Sequence, residues 1–260
     1  DDQGKLDPLV LCCARKYQVT IVGGPARFGF PALAFGISDE SLAGCPLVCG
    51  PCGRAMNVIK QTACLLAGVT PDMSAGPSDL AILADDSADW NQVALDIVSQ
   101  LEHGPDSSAE IVLIGDEAMN EFTKLVLADI AADLRIRIKV CQCETLAAGI
   151  ETINQIAPET AEVWVATTKT AAKLTTSGVV YERMGSSLGD YGAIGRGCAD
   201  PTGKQARAQS GLSPMTFMRT TAMVSIGNLS EKCRDAAARL SHYEQLPMHQ
   251  RAINGPAGRS

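Results

Sequence analysis

Cys45, Cys49 and Cys52 stand in the run Cys45-Pro-Leu-Val-Cys49-Gly-Pro-Cys52. Cysteine thiolates are the usual ligands of iron–sulfur clusters. The bland reading of the same run is a set of thiols in a Pro/Gly turn. A second candidate is Ser187 in Gly185-Ser186-Ser187-Leu188-Gly189, after the apolar stretch VVYERM, with Asp200 and His242 further along the chain. A serine, a carboxylate and an imidazole can together carry out acyl transfer. The segment after the serine run, DYGAIGRG, is a poor helix former. Gly203-Lys204 lacks phosphate-loop spacing, and Pro25 in Gly23-Gly24-Pro25 removes an amide that could hold a phosphate; both read as turns. With histidine at 103, 242 and 249 alone, there is little room for imidazole chemistry.

The cysteine run resembles the cluster loop of the radical-SAM family, which implies that Cys45, Cys49 and Cys52 hold three irons of a [4Fe–4S] cluster and leave the fourth for S-adenosylmethionine. It departs from that family at Pro51, where an aromatic residue is usual, and no Gly-Gly-Glu segment follows. The serine run resembles the nucleophile elbow of α/β-hydrolases over five residues, and Ser187, Asp200 and His242 follow that family's chain order, but an elbow has a helix directly after it.

The elements that would position these groups alternate along the chain. Strands are expected at 19–24, 46–50, 79–85, 110–116, 137–141 and 162–167. Their continuous apolar runs suit strands covered on both faces. Helices are expected at 54–68, closed by Gly68, then at 89–102, after the 110–116 strand, and at 144–156. The 89–102 segment spaces Trp90, Val93, Ala94, Ile97, Val98 and Leu101 on one face. A strand at 221–228 leads into a helix at 230–242, with Asn228 and Glu231 spaced as a capping box. The last fifteen residues read as a tail.

Self-comparison at an offset of 143 overlays 68–98 on 211–241. It equates DLAILADDSADWNQVALDIVSQL with TAMVSIGNLSEKCRDAAARLSHY. The expected fold is α/β, with layered sheets covered by helices in pseudo-duplicated halves. The first half is 1–158, with an extra βαβα block at 108–157. The second is 159–260, with a Gly-rich loop at 185–197 and a basic tail.

Charge is uneven: residues 201–260 carry eight Lys/Arg against three acids, so the net −7 divides into −12 before position 201 and +5 after it. An acidic balance argues against general nucleic-acid binding. No apolar run reaches the roughly 18 residues of a membrane span. Hydrophobic content of 46% with 20% charge excludes wholesale disorder. Ten cysteines in a chain with this much core imply free thiols and a reducing compartment, bacterial cytoplasm or plastid stroma.

The repeated strand–helix unit resembles that of bacterial microcompartment shell domains, which also occur as tandem duplications. The 108–157 block departs from that family's order, and coats of other carbon-fixing compartments, such as the pyrenoid, suit the physical argument equally. The resemblance implies a structural protein that assembles with copies of itself into a sheet, tube or shell, without cofactor or metal. The alternative is an enzyme, either an iron–sulfur protein using Cys45, Cys49 and Cys52 or a serine hydrolase using Ser187, Asp200 and His242.

Overall fold

A computed structural model describes residues 6–38, 42–74, 76–190, 200–225 and 229–255. The chain divides into two compact units, Asp1–Met218 and Arg219–Ser260.

The first unit opens with two helices, α1 (Pro8–Tyr17) and α2 (Ala26–Phe35). Between them the expected strand at 19–24 is absent. Val19, Ile21 and Val22 are exposed, so this apolar run has no sheet to join. The apolar, Gly-containing stretch after it forms α2 despite Pro31. Helix α3 (Arg54–Ala67) ends as its sequence predicts, on Gly68 at φ 68°. Ala34, Val48, Ala63 and Cys64 form a small core between α2, α3 and the two-residue strand Leu47–Val48.

The main sheet follows in strict alternation. Its strands are β1 (Asp79–Ala84), β2 (Ser108–Ile114), β3 (Ile138–Cys143), β4 (Thr160–Trp164) and β5 (Val179–Glu182). All pair in parallel, in the order β3-β2-β1-β4-β5. Parallel neighbours need crossovers, which α4 (Trp90–Glu102), α5 (Gly115–Glu121, running into a wider π-turn over Phe122–Leu127) and α6 (Leu146–Ile156) supply. Alternation along β1 sends Leu80, Ile82 and Ala84 to one face, where Val93, Ile97 and Leu101 of α4 meet them. Ala81 and Leu83 go to the other face, against Ile153 of α6. The expected α/β fold, a sheet covered by helices, is therefore the observed one. Position 158, where two halves were expected to meet, lies between strands of this single sheet.

The Gly-rich loop expected at 185–197 is described only to Asp190, and begins with the one-turn helix α7 (Ser187–Asp190). In the second unit, α8 (Glu231–Tyr243) is capped by Ser230, whose side chain accepts from the Cys233 amide. The expected cap, Asn228, lies outside the described residues. Residues 221–225 have no strand, and Met223 and Val224 are exposed. The supposed tail forms a further helix, α9 (Pro247–Asn254). Among the described residues no helix is long and apolar enough to cross a membrane.

Candidate active site

Sheets of this strand order commonly take ligands where the order reverses, here between the carboxyl ends of β1 and β4. This chain fills that crevice with its own acids. The Asp85 carboxylate accepts from the Ala166 amide at 2.9 Å and from the Ser87 amide at 2.9 Å. Asp89 caps α4 by accepting from the Gln92 amide. A dinucleotide pyrophosphate placed there would meet the Asp85 and Asp89 carboxylates and a helix end whose Gln92 amide is already engaged, so these residues do not fit it.

The opposite, amino end of the sheet is different. Two Gly-Pro turns, Gly76-Pro77 before β1 and Gly104-Pro105 before β2, line a cavity of ≈ 350 Å³ together with Cys52, Arg54, Ser78 and His103. Behind Ser78 stands Glu159, immediately before β4. Its Oε2 accepts from the Ser78 hydroxyl at 2.7 Å and from the Asp79 amide at 3.3 Å. The Glu159 amide in turn donates to Asp79 Oδ1, and the Gly203 amide donates to Asp79 Oδ2 at 3.4 Å. Pairing of Leu80 with Thr160 in the β1–β4 ladder forces this meeting, because it sets Asp79 and Glu159 side by side.

Burial raises the Glu159 carboxyl to about 7; the Asp79 charge adds to the rise and the Ser78 hydroxyl opposes it. Burial also raises Asp79. A carboxyl that titrates near neutrality, hydrogen-bonded to a hydroxyl on a cavity wall, can take a proton from a bound molecule and return it.

His103 caps the carboxyl end of α4, its Nδ1 3.2 Å from the Gln100 carbonyl oxygen. Arg137 fastens the same end, donating from Nη1 to the Leu101 and Gly104 carbonyls at 3.0 and 2.6 Å. Gln100 is buried and its Nε2 has no hydrogen-bond partner. A larger cavity, ≈ 570 Å³, lies beside α2, lined by residues such as Val22, Phe28, Leu33 and Leu42. Among the described residues no titratable side chain lines it.

The residues expected from spacing can be placed one by one. Cys52 lines the 350 Å³ cavity, Cys49 follows the strand Leu47–Val48, and Cys45 donates its amide to the Leu33 carbonyl. Among the described residues no group of three or more His, Cys, Asp or Glu is placed to hold a metal ion. Ser187 donates its hydroxyl to Asp96 Oδ1 at 3.0 Å rather than to an imidazole. Asp200 is buried at the amino end of the sheet, beside Gly178, and His242 belongs to α8 of the second unit. Spacing did not point to Ser78, Asp79, His103 or Glu159. The signal available for three of them was the pair of Gly-Pro turns, each just ahead of a buried strand.

The chain matches the protein family described as histidinol dehydrogenase over residues 1–255. It is 30% identical over 270 residues to the histidinol dehydrogenase of Xylella fastidiosa, covering 96% of this chain and 60% of that protein. With the enzyme of Thermococcus kodakarensis it shares 30% over 262 residues, covering 96% and 63%. The crystal structure of histidinol dehydrogenase from Elizabethkingia anophelis superposes with a TM-score of 0.77 at 25% identity, over 96% of this chain and 60% of that one. The chain thus spans about 60% of the length of these relatives.

These likenesses overturn the compartment-shell resemblance and the structural, self-assembling role drawn from it. The physical reason lies in the unit that carried the resemblance. One copy, 79–101, supplies the central strand of a five-stranded parallel sheet, with β1 flanked by β2 and β4. The other copy has its helix but no strand at 221–225.

Proposed function

The chain belongs to the histidinol dehydrogenase family, and from that premise we propose that it oxidises an amino alcohol of the histidinol kind in the cavity at the amino end of its sheet. The observation that carries this reading is Glu159, held near neutrality by burial and joined through the Ser78 hydroxyl to the cavity wall. Oxidation of an alcohol needs its hydroxyl proton removed as hydride leaves the carbon. Glu159, alone or through Ser78, takes that proton, and the hydride passes to an external acceptor. His103 and Arg54 supply polar contacts from the facing walls.

A second copy of the chain is the proposed partner, favoured by the opposed charge of its acidic body and basic end. A reducing setting is proposed from the thiols, since the nine described cysteines are all free.

The test supplies purified chain with L-histidinol and a nicotinamide dinucleotide as acceptor. Reduced nicotinamide is followed by absorbance and the aldehyde product by mass spectrometry, with calorimetry for binding. The expected result is binding and turnover, with turnover lost in Glu159→Gln. A chain that neither binds nor oxidises histidinol refutes the proposal.

A further inference from the structure

Asp79 stands one residue past Ser78, behind the cavity wall, and its carboxylate bonds in two directions. Oδ1 accepts from the Glu159 amide, and Oδ2 accepts from the Gly203 amide at 3.4 Å. The Asp79 amide donates to Glu159 Oε2 at 3.3 Å. Asp79 and Glu159 therefore make a reciprocal exchange where the β1–β4 ladder begins: the carboxyl group of each accepts from the amide of the other. One bond fixes the Glu159 backbone, and the other holds its head at the oxygen that also takes the Ser78 hydroxyl.

Gly203 belongs to a strap, residues 200–209, that lies along the segment leading into β1. The Thr202 amide donates to the Ser74 carbonyl at 3.1 Å, and the Ser74 amide donates to Gln209 Oε1 at 2.8 Å. Thr202 Oγ1 sits so close on Gly76 that a Cβ there would come within 2.9 Å of it. The strap thus backs the Gly76-Pro77 turn of the cavity wall, and Asp79 ties strap and base to one carboxylate.

We propose that Asp79 is a positioning residue: its carboxylate fastens both Glu159 and the strap, so that the Glu159 carboxyl stands against Ser78 at the cavity. The role of Glu159 as base rests on the reading under Proposed function; the fastening, and the influence of Asp79 on Glu159, do not.

Charged groups reach the pair from several elements. Strand β2 contributes Glu110, which Lys139 of β3 engages at 3.2 Å. The strap contributes Lys204 beside Asp79 and Asp200 beside Glu159. Arg54, His103 and Asp106 line the cavity in front. Burial raises Asp79, while its two amide bonds favour the charged form. After burial and against the pull of the Ser78 hydroxyl, that charge strengthens the hold of Glu159 on its proton. Asp79 therefore acts by its oxygens and by its charge, and two variants separate the effects. Asp79→Asn keeps an oxygen for the Glu159 amide and loses the charge. Asp79→Ala loses both.

Ionisation of Glu159 is followed by carbon-13 labelling of glutamate Cδ, its resonance being the one missing from Glu159→Gln. The midpoint of about 7 is expected to move down by about one pH unit in Asp79→Asn, a tenfold weaker hold on the proton. Exchange of the Glu159 amide hydrogen is expected to quicken about tenfold or more in Asp79→Ala, because the lost bond ends on a charged group. In Asp79→Asn it quickens by less than about threefold. In turnover, kcat falls by about 10²-fold in Asp79→Ala with KM within about threefold. In Asp79→Asn most of that loss is restored, and the acidic limb of the kcat profile follows the carbon-13 midpoint.

A midpoint unmoved in Asp79→Asn overturns the influence of Asp79 on Glu159. Amide exchange unchanged in Asp79→Ala overturns the fastening. Should Asp79→Ala fail to fold, Asp79→Asn decides: a shifted midpoint with the amide still protected supports the proposal, and a fixed midpoint or an unprotected amide overturns it. If histidinol oxidation alone fails, the labelled carboxyl and the amide still give the expected pattern, so the two failures are told apart.

Discussion

Replacing the proposed base should make the protein more stable while disabling it. Both hydrogen bonds to the Glu159 side chain arrive at one oxygen, Oε2. Gln can present its single carbonyl oxygen there, so Glu159→Gln keeps the contacts and removes only the ionisation. The carboxyl titrates at about 7 in the fold against an ordinary 4.5. With its folded pKa raised, the group's contribution is fully present below the unfolded pKa and lost as pH rises through about 7. Raising a pKa by one corresponds to about 1.4 kcal/mol, so the native state forfeits up to about 3 kcal/mol at pH 8 and below about 1 kcal/mol at pH 5. The Gln variant forfeits neither. Urea unfolding of both proteins at the two pH values measures the difference. The gain from Glu159→Gln should grow by about 2 kcal/mol between pH 5 and pH 8, while histidinol turnover disappears. A gain independent of pH would refute the burial argument. A variant that still turns over would refute the assignment of Glu159 as base.

Two further outcomes follow from the same geometry. Ser78→Ala removes the hydroxyl that opposes the rise in Glu159, so the acidic limb of the kcat profile should move to higher pH and kcat should fall by about 10²-fold if Ser78 relays the proton. Lys60→Met leaves Asp72 buried without the cation 2.6 Å away, though still accepting from the Gly50 and Met73 amides. This should cost about 3–5 kcal/mol and lower Tm by on the order of 10 °C, with much of the loss recovered in Lys60→Met/Asp72→Asn. Equal losses in single and double variants would show that the ion pair is not the source.

The apolar runs at 79–85, 110–116 and 162–167 foretold strands of the central sheet, and the stripe of Trp90, Val93, Ile97 and Leu101 foretold α4. Periodicity is local, and burial on both faces leaves a continuous apolar signature that any window of residues displays. The same signature misled at 19–24 and 221–225. There the apolar residues are present, but no neighbouring strand offers them a ladder.

The candidate site was hidden for a different reason. Ser78, His103 and Glu159 are far apart in sequence and form no compact motif, whereas the cysteine and serine runs were compact and drew notice for that alone. Local pattern therefore determined which segments of this protein become buried strands and helices. Only the tertiary structure decided the chemistry. The register of β1 against β4 sets Asp79 beside Glu159. A carboxyl's proton affinity depends on what surrounds it in space, and no spacing along the chain encodes that.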